Sequence, residues 1–315
     1  MYYLGIDLGG TNIAAGIVND QMELIYKTSI PTESKTGEDN IIGRMAKVAK
    51  MAIKGAGIRE DEVIHIGVGS PGAIDSVNGV VVGAENLGLV RTEMAKKLGA
   101  YFPGKPVYLG NDANVAAWAE FKCGAAKGAK DAIMVTLGTG VGGGIIADGK
   151  LHTGFNDIGG ELGHTVIQMG GRLCGCGRKG CWEAYASVSG LIKTTKEYME
   201  KYPDSLMWKI SDSLDKVNGL TSFEAMRKGD EAAQKVVDEY LYAVAAGIIN
   251  MINIFQPEIL CIGGGISKEG KYLLDPIKKH VEAEAYGGGV SKHTTLKIAE
   301  LGNDAGIIGA ALLGT

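Results

Sequence analysis

Residues 8–18 read LGGTNIAAGIV and residues 137–147 read LGTGVGGGIIA. In both, an apolar run enters a turn of glycine and threonine and leaves as a second apolar run. Tyr2–Asp7 and Ala132–Leu137 are the incoming strands; Ile13–Val18 and Val141–Ala147 are the outgoing ones. A single glycine turn does no more than close a hairpin. Two copies, each behind a buried strand, indicate an internal duplication and a shared task. Glycine lets backbone amides approach an anion closely, and a threonine hydroxyl adds a donor, so phosphate is the natural ligand. The candidate nucleotide contacts are therefore Gly9, Gly10, Thr11 and Asn12 in the first copy, and Gly138, Thr139, Gly140 and Gly142 in the second. Asp7, at the end of the first strand, is placed to hold Mg2+ through water.

The chain around each copy follows one pattern. Met22–Ile30 reads as a third strand, and Glu38–Gly55 as a helix with Ile41, Ile42, Met45, Val48, Ala49 and Ala52 on one face. Val63–Gly69 is a strand, followed by a polar, glycine-rich excursion to about Val90 that carries Gly72 and Asn86. A helix over Thr92–Tyr101, a strand at Val107–Leu109 and an alanine-rich helix after Asp112 give the order βββαβαβα. In the second half Asp148-Gly149 is a hairpin signal. Helices near Val188–Tyr202 and Asp230–Phe255, a strand at Ile259–Ile262, a helix at Leu273–Ala285, a strand at Leu296–Leu301 and a helix from Asp304 complete it. Gly263–Gly265 follows a buried strand; Gly264 and Gly265 suit a ribose or adenine on bare backbone, and equally a tight strand-to-helix turn. Asp204–Lys228, with Trp208, shows little regular pattern.

Between the second hairpin and its helices lies GGELGHTVIQMGGRLCGCGRKGCWE, residues 159–183. His164, Cys174, Cys176 and Cys181 form the closed set of four soft or borderline ligands that structural zinc prefers. A catalytic zinc is not expected, because protein fills all four positions. A surface disulfide is the plainer alternative. Glu161 and Glu183 bracket the cluster, and a ligating histidine keeps its second ring nitrogen for another partner. The arrangement reads as a metal-braced knuckle that presents polar groups to a ligand. Cys123 and Cys261 lie in apolar surroundings and read as small buried hydrophobes.

Composition narrows the field. With 315 residues and 45% apolar content, two lobes are expected. The 49 glycines include clusters in a few short runs, at Gly9–Gly10, Gly138–Gly144, Gly263–Gly265 and Gly287–Gly289, and show no short repeat. The net charge is −4 and no basic block occurs, so no nucleic-acid partner is expected. No apolar run is long enough to span a membrane and no signal peptide is visible, so a cytoplasmic location is expected. No GxxxxGK[ST] is present, nor an HRD and DFG pair, which excludes P-loop and protein-kinase chemistry.

Asn111-Asp112 sits where a strand meets a helix. Asp112 there reads either as an ordinary helix N-cap or as a carboxylate at the strand end where α/β folds place chemistry.

Taken in order, GTGVGGG (138–144), ELGH (161–164), CGCGRKGC (174–181) and WE (182–183) resemble the ROK family of bacterial sugar kinases and sugar-responsive repressors, nearest to its glucokinase branch. The resemblance covers essentially the whole chain. It implies an actin-like ATPase (ribonuclease H-like) α/β fold: two duplicated βββαβαβα lobes around a cleft, with a zinc knuckle inserted. The small lobe would be residues 1–113 plus 302–315, and the large lobe 114–301 with the knuckle at about 161–183. It further implies ATP, Mg2+ and a structural Zn2+, and a hexose phosphorylated at C6, glucose first. Asp112 would be the general base. Asn86, Asn111, Glu161, His164 and Glu183 would meet the other hydroxyls, with Gly72 close to the ring. Closure of the lobes on sugar and a homodimer or homotetramer are expected.

Two departures bear on specificity. Asn86-Leu87-Gly88-Leu89 stands where the family often has an aromatic, and Asn12 where Lys or Arg is common. Mannose, fructose or an N-acetylated hexosamine are thus the alternative substrates. Repressor relatives carry a helix-turn-helix before the first strand, which here begins at Tyr2, so a repressor is not expected. A non-catalytic sugar binder would have a degraded phosphate turn, and both turns are intact.

Overall fold

The computed structural model describes residues 1–287 and 293–315; Gly288 and Gly289 of the last glycine run lie outside the described residues. The first half contains β1 (Tyr2–Leu8), β2 (Asn12–Asn19), β3 (Leu24–Pro31), α1 (Glu38–Gly55), β4 (Val63–Ser70), β5 (Ala73–Asp75), β6 (Val80–Ala84), β7 (Leu89–Thr92), α2 (Met94–Gly99), β8 (Val107–Asn111) and α3 (Asp112–Cys123). The second contains β9 (Ala132–Leu137), β10 (Val141–Ala147), β11 (Lys150–Leu151), α4 (Glu183–Ala186), α5 (Val188–Lys201), α6 (Leu206–Ser211), α7 (Thr221–Arg227), α8 (Glu231–Phe255), β12 (Ile259–Gly263), α9 (Lys271–Glu284), β13 (Thr295–Ile298) and α10 (Ala305–Ala311).

The two main sheets run β3-β2-β1-β4-β8 and β11-β10-β9-β12-β13. In each, the third strand to be made stands at the edge, then the second, first, fourth and fifth. The repeated hairpin read from the sequence is thus the seed of two sheets of identical strand order. In the first sheet β1–β2 and β2–β3 are antiparallel, whereas β1–β4 and β4–β8 are parallel. Asp148 and Gly149, with φ of 53° and 74°, form the turn joining β10 to β11; positive φ at both centres suits the twist of a tight hairpin.

Two segments depart from expectation. The excursion after Ser70 is a three-stranded antiparallel sheet, β5-β6-β7. Its strands of three to five residues are too short to show alternation, and Gly79, Gly83 and Gly88 interrupt them. Thr92 pairs with Val81 in that sheet, so the helix expected from Thr92 starts at Met94. Residues 204–228 hold α6 and α7, of six and seven residues, too short for periodicity to register. The Ser205 hydroxyl caps α6 by accepting from the Met207 amide at 3.2 Å.

By their contacts the described residues form two compact units: 1–134, 144–160 and 300–315 in one, 135–143 and 161–299 in the other. In the first, α1 buries Ile41, Ile42, Met45, Val48, Ala49 and Ala52, the face read from the sequence. α10 lies against β1, β4 and α3. It comes so close that a Cβ on Gly67 would stand 1.7 Å from the Ala310 carbonyl oxygen, and one on Gly5 1.9 Å from that of Ile307. The Glu120 carboxylate is fully buried and accepts the amides of Ala125 (2.7 Å), Glu300 (3.1 Å) and Leu301 (2.8 Å), fixing the chain where it re-enters this unit.

In the second unit α8 is the central helix. Asp230 caps it by accepting from the Ala233 amide at 2.7 Å, and Gln256, in the left-handed region, ends it. Val236, Val237, Tyr240, Leu241, Val244, Ala245, Ile248, Ile249, Met251 and Ile252 are its buried face. Trp182, fully buried, lies on Gly247 of this helix and donates its indole N–H to the Ala243 carbonyl at 2.8 Å. The end of the knuckle is thereby seated on the unit's core. Among the described residues no helix is long and apolar enough to cross a membrane.

Candidate active site

At the first glycine turn the Gly9 amide donates to the Asn12 carbonyl (3.0 Å), closing the hairpin. Thr32, just past β3, holds the turn from behind. Its hydroxyl donates to the Gly9 carbonyl (2.6 Å) and its amide to the Thr11 carbonyl (2.8 Å). Among the described residues the Gly10 and Thr11 amides find no acceptor. The second turn is closed by the Gly138 amide on the Gly140 carbonyl (3.0 Å) and held by the start of α5. There the Val188 amide donates to the Gly138 carbonyl (2.8 Å) and the Ser189 hydroxyl to the Thr139 carbonyl (2.8 Å). Among the described residues the Thr139 and Gly140 amides find no acceptor. Unmatched backbone donors in a concave turn are what an anion requires. Gly142 lies beyond the turn, within β10, and Asn12 is the first residue of β2.

The first unit gathers several predicted residues beside its turn. Asn111 ends β8, and its Oδ1 caps α3 by accepting from the amides of Ala113 (3.0 Å) and Asn114 (3.3 Å). Its Nδ2 donates to the Gly72 carbonyl at 3.1 Å. Because Asn111 is the cap, Asp112 is the first helical residue, which removes the capping alternative. The Asp112 Oδ1 accepts the Ala113 amide at 2.8 Å. The residue is open to solvent at its rim while protein crowds the carboxylate, and that burial raises its pKa against the lowering by backbone amides. Asp7 is pushed up to about 6, first by burial and then by the negative charge of Asp112. A buried carboxylate whose proton affinity is raised further by the charge of a neighbouring one, with no Lys or Arg paired to it among the described residues, suits a divalent cation. Asn86 sits in the short turn Glu85–Leu87 with Nδ2 3.4 Å from where a Gly10 Cβ would be.

The second unit gathers the knuckle. One donor atom from each of His164, Cys174, Cys176 and Cys181 lies within 4.8 Å of the others. The Cys176 and Cys181 sulfurs are 3.7 Å apart, and the Cys174 sulfur is 3.7 Å from the His164 Nδ1. A tetrahedron with zinc–sulfur bonds of about 2.3 Å has edges of about 3.8 Å, so this donor set fits zinc. All three thiols are free, which rules out the disulfide. Burial pushes the Cys174 thiol up to about 12, so a cation is needed for that sulfur to give up its proton at neutral pH. With Nδ1 turned to the sulfurs, the His164 Nε2 is left for another partner. Glu161 is exposed at the start of the turn Leu162–His164.

Glu183 does more than its sequence position suggested. Its Oε2 accepts the Val141 amide at 3.0 Å, and its Oε1 accepts from the Cys174 thiol at 3.4 Å. A Cβ on Gly140 would lie 2.4 Å from Oε2, so a side chain there would push this carboxylate aside. Gly264 (φ 89°) presses against the strand leading into the turn; its Cβ would meet the Leu137 carbonyl oxygen at 2.2 Å. Gly265 faces open space. The triplet is therefore a tight packing turn at Gly264 and bare accessible backbone at Gly265. Thr32, Val188 and Ser189 were not singled out from the sequence. No motif marks them, since their role arises from which carbonyl they reach.

The description "ROK family" belongs to the family model that matches residues 3–315. The glucokinase of Thermotoga maritima is 36% identical over 98% of this chain and 95% of its own length. The glucokinase of Halalkalibacterium halodurans is 39% identical over 99% and 94%. Among solved structures, a ROK family glucokinase from Streptomyces griseus in complex with glucose and AMPPNP superposes with a TM-score of 0.84 at 34% identity, covering 99% of each chain.

Proposed function

From a chain that belongs to the ROK family, with the actin-like ATPase fold of its sugar kinases, we propose an ATP-dependent hexose kinase that converts glucose to glucose 6-phosphate. The support is twofold: full-length likeness to glucokinases, one of them holding glucose and a nucleotide analogue, and the chemistry of this chain's own residues. The observation that carries the reading is Asp112, a carboxylate of raised proton affinity, released from capping by Asn111 and electrostatically coupled to Asp7 at the foot of a turn with two unmatched amides.

Phosphoryl transfer asks a protein for alignment, charge neutralisation and one proton acceptor. Asp112 accepts the proton of the C6 hydroxyl as that oxygen attacks the γ-phosphorus; the P–O bond to the β-phosphate breaks and ADP leaves. The amides of Gly10, Thr11, Thr139 and Gly140 meet phosphoryl oxygens, and Gly265 lies against the nucleoside. Asp7 would hold Mg2+, which supplies charge neutralisation when bound. Asn86, Asn111, Glu161, His164 and Glu183 are assigned to the remaining hydroxyls, with Gly72 near the ring. A neutral polyol suits this set, since carboxylates accept the hydrogen bonds that hydroxyls donate. His164, Cys174, Cys176 and Cys181 would hold zinc as a brace, with no open position for a reacting water.

The test is a coupled assay for the 6-phosphate with wild type and Asp112→Asn across glucose, mannose, fructose and N-acetylmannosamine. Turnover on glucose that falls away in Asp112→Asn supports the reading. A wild type inert on the whole panel, although it binds sugar, would overturn it.

A further inference from the structure

Thr32 and Ser189 lie outside every assignment made above, and each places a hydroxyl on the back of a glycine turn. A peptide group is planar, and in the trans form its C=O and N–H point in opposite directions. Fixing a carbonyl therefore aims the amide of the following residue. The Gly9 carbonyl, held by the Thr32 hydroxyl at 2.6 Å, shares its plane with the Gly10 amide. The Thr139 carbonyl, held by the Ser189 hydroxyl at 2.8 Å, shares its plane with the Gly140 amide. Among the described residues both of those amides lack an acceptor.

We propose that Thr32 and Ser189 are positioning residues for nucleotide binding, each pinning one peptide so that a glycine N–H is presented to a phosphoryl oxygen. The need for pins follows from the residues in the turn. Glycine has no side chain to bias its dihedrals, so an unpinned peptide between Gly9 and Gly10 rotates at small penalty and turns its donor away. The pins come from unrelated places, one from the residue after β3 and one from the first turn of α5. They also grip peptides one step apart in the two copies. Similar hardware reached by different routes points to the amide direction as the shared requirement. The neighbouring carbonyls of Thr11 and Gly138 are held by the backbone amides of Thr32 and Val188, which no substitution other than proline removes, so the hydroxyls are the separable part.

This inference rests on the kinase reading, and its test separates the two. Ser189 is exposed, so Ser189→Ala leaves the core untouched. A net hydrogen bond corresponds to a factor of about three to ten. Ser189→Ala is expected to raise KM for ATP, and the calorimetric Kd for AMPPNP, by that factor. KM for glucose and the melting temperature should stay at their wild-type values, and Ser189→Thr should restore nucleotide affinity. Thr32 is fully buried; Thr32→Val should weaken the analogue similarly, and Thr32→Ser should recover it. An unchanged Kd for AMPPNP in Ser189→Ala, or equal rises in both KM values, would overturn the pins. A wild type that binds AMPPNP yet phosphorylates no hexose sinks the kinase reading alone, and the titrations still decide the pins.

Discussion

Glu183 and Val141 are joined by a 3.0 Å hydrogen bond, and the other oxygen of the same carboxylate accepts from the Cys174 thiol at 3.4 Å. Zinc on Cys174 would replace the thiol proton and with it the second contact, so the Val141 bond, made by a residue two places after Cys181, is what links the knuckle to the second glycine turn within a single unit. Glu183→Ala leaves a half-buried amide without its acceptor, a loss of about 1–3 kcal/mol. Thermal melting should show the destabilisation, and steady-state kinetics should show KM rising for ATP as well as for hexose. A rise confined to the hexose would mean that the Val141 contact has no bearing on the turn.

The donor geometry of His164, Cys174, Cys176 and Cys181 predicts one zinc per chain by elemental analysis. Cys176→Ser, or exhaustive chelation, should release the metal and lower the melting temperature, because binding energy at such a site is folding energy. A zinc-free protein that melts at the wild-type temperature would contradict the assignment.

Asp112→Asn should reduce kcat by a factor of about 100 to 10,000, the usual contribution of a positioned base, while the glucose Kd from calorimetry stays close to wild type. Burial holds the Asp112 proton more tightly than an ordinary carboxylate does. The acid limb of kcat/KM against pH should therefore lie above the usual carboxylate range and vanish from the residual activity of the variant.

Asp7 gives a stability prediction with a definite sign. Its folded pKa of about 6 exceeds the ordinary aspartate value of 3.8, so between those values the folded state binds more protons than the unfolded one. Stability must fall as pH rises through that window and stay lower above it. The ceiling is about 3 kcal/mol. Asp7→Asn should therefore melt higher than wild type at pH 8 in metal-free buffer, the gap closing toward pH 4, while turnover is lost. Parallel melting curves at all pH values would show that the carboxylate is not under this strain.

The duplicated hairpin and the buried stripe of α1 were legible because they depend on periodicity and turn composition. So was the gathering of His164, Cys174, Cys176 and Cys181, which lie close in sequence. The sheet β5-β6-β7 was not, since three-residue strands carry too little pattern. Residues 206–211 and 221–227 escaped notice for the same reason as helices. At the site, Asn111-Asp112 could be found but not resolved; only the structure shows which of the two caps the helix. Thr32 and Ser189 were invisible, because a hydroxyl that reaches a distant carbonyl leaves no local trace.

Gly67 meets Ala310 backbone to backbone, so the sheet begun by the first strands receives the helix at residues 305–311 as its cover. On the ribosome, that sheet, complete at Asn111, must wait with an apolar face bare until nearly two hundred further residues have emerged. The unit holding the first glycine turn is thus begun before the other and finished after it. Chaperone dependence and aggregation of truncated chains should concentrate there.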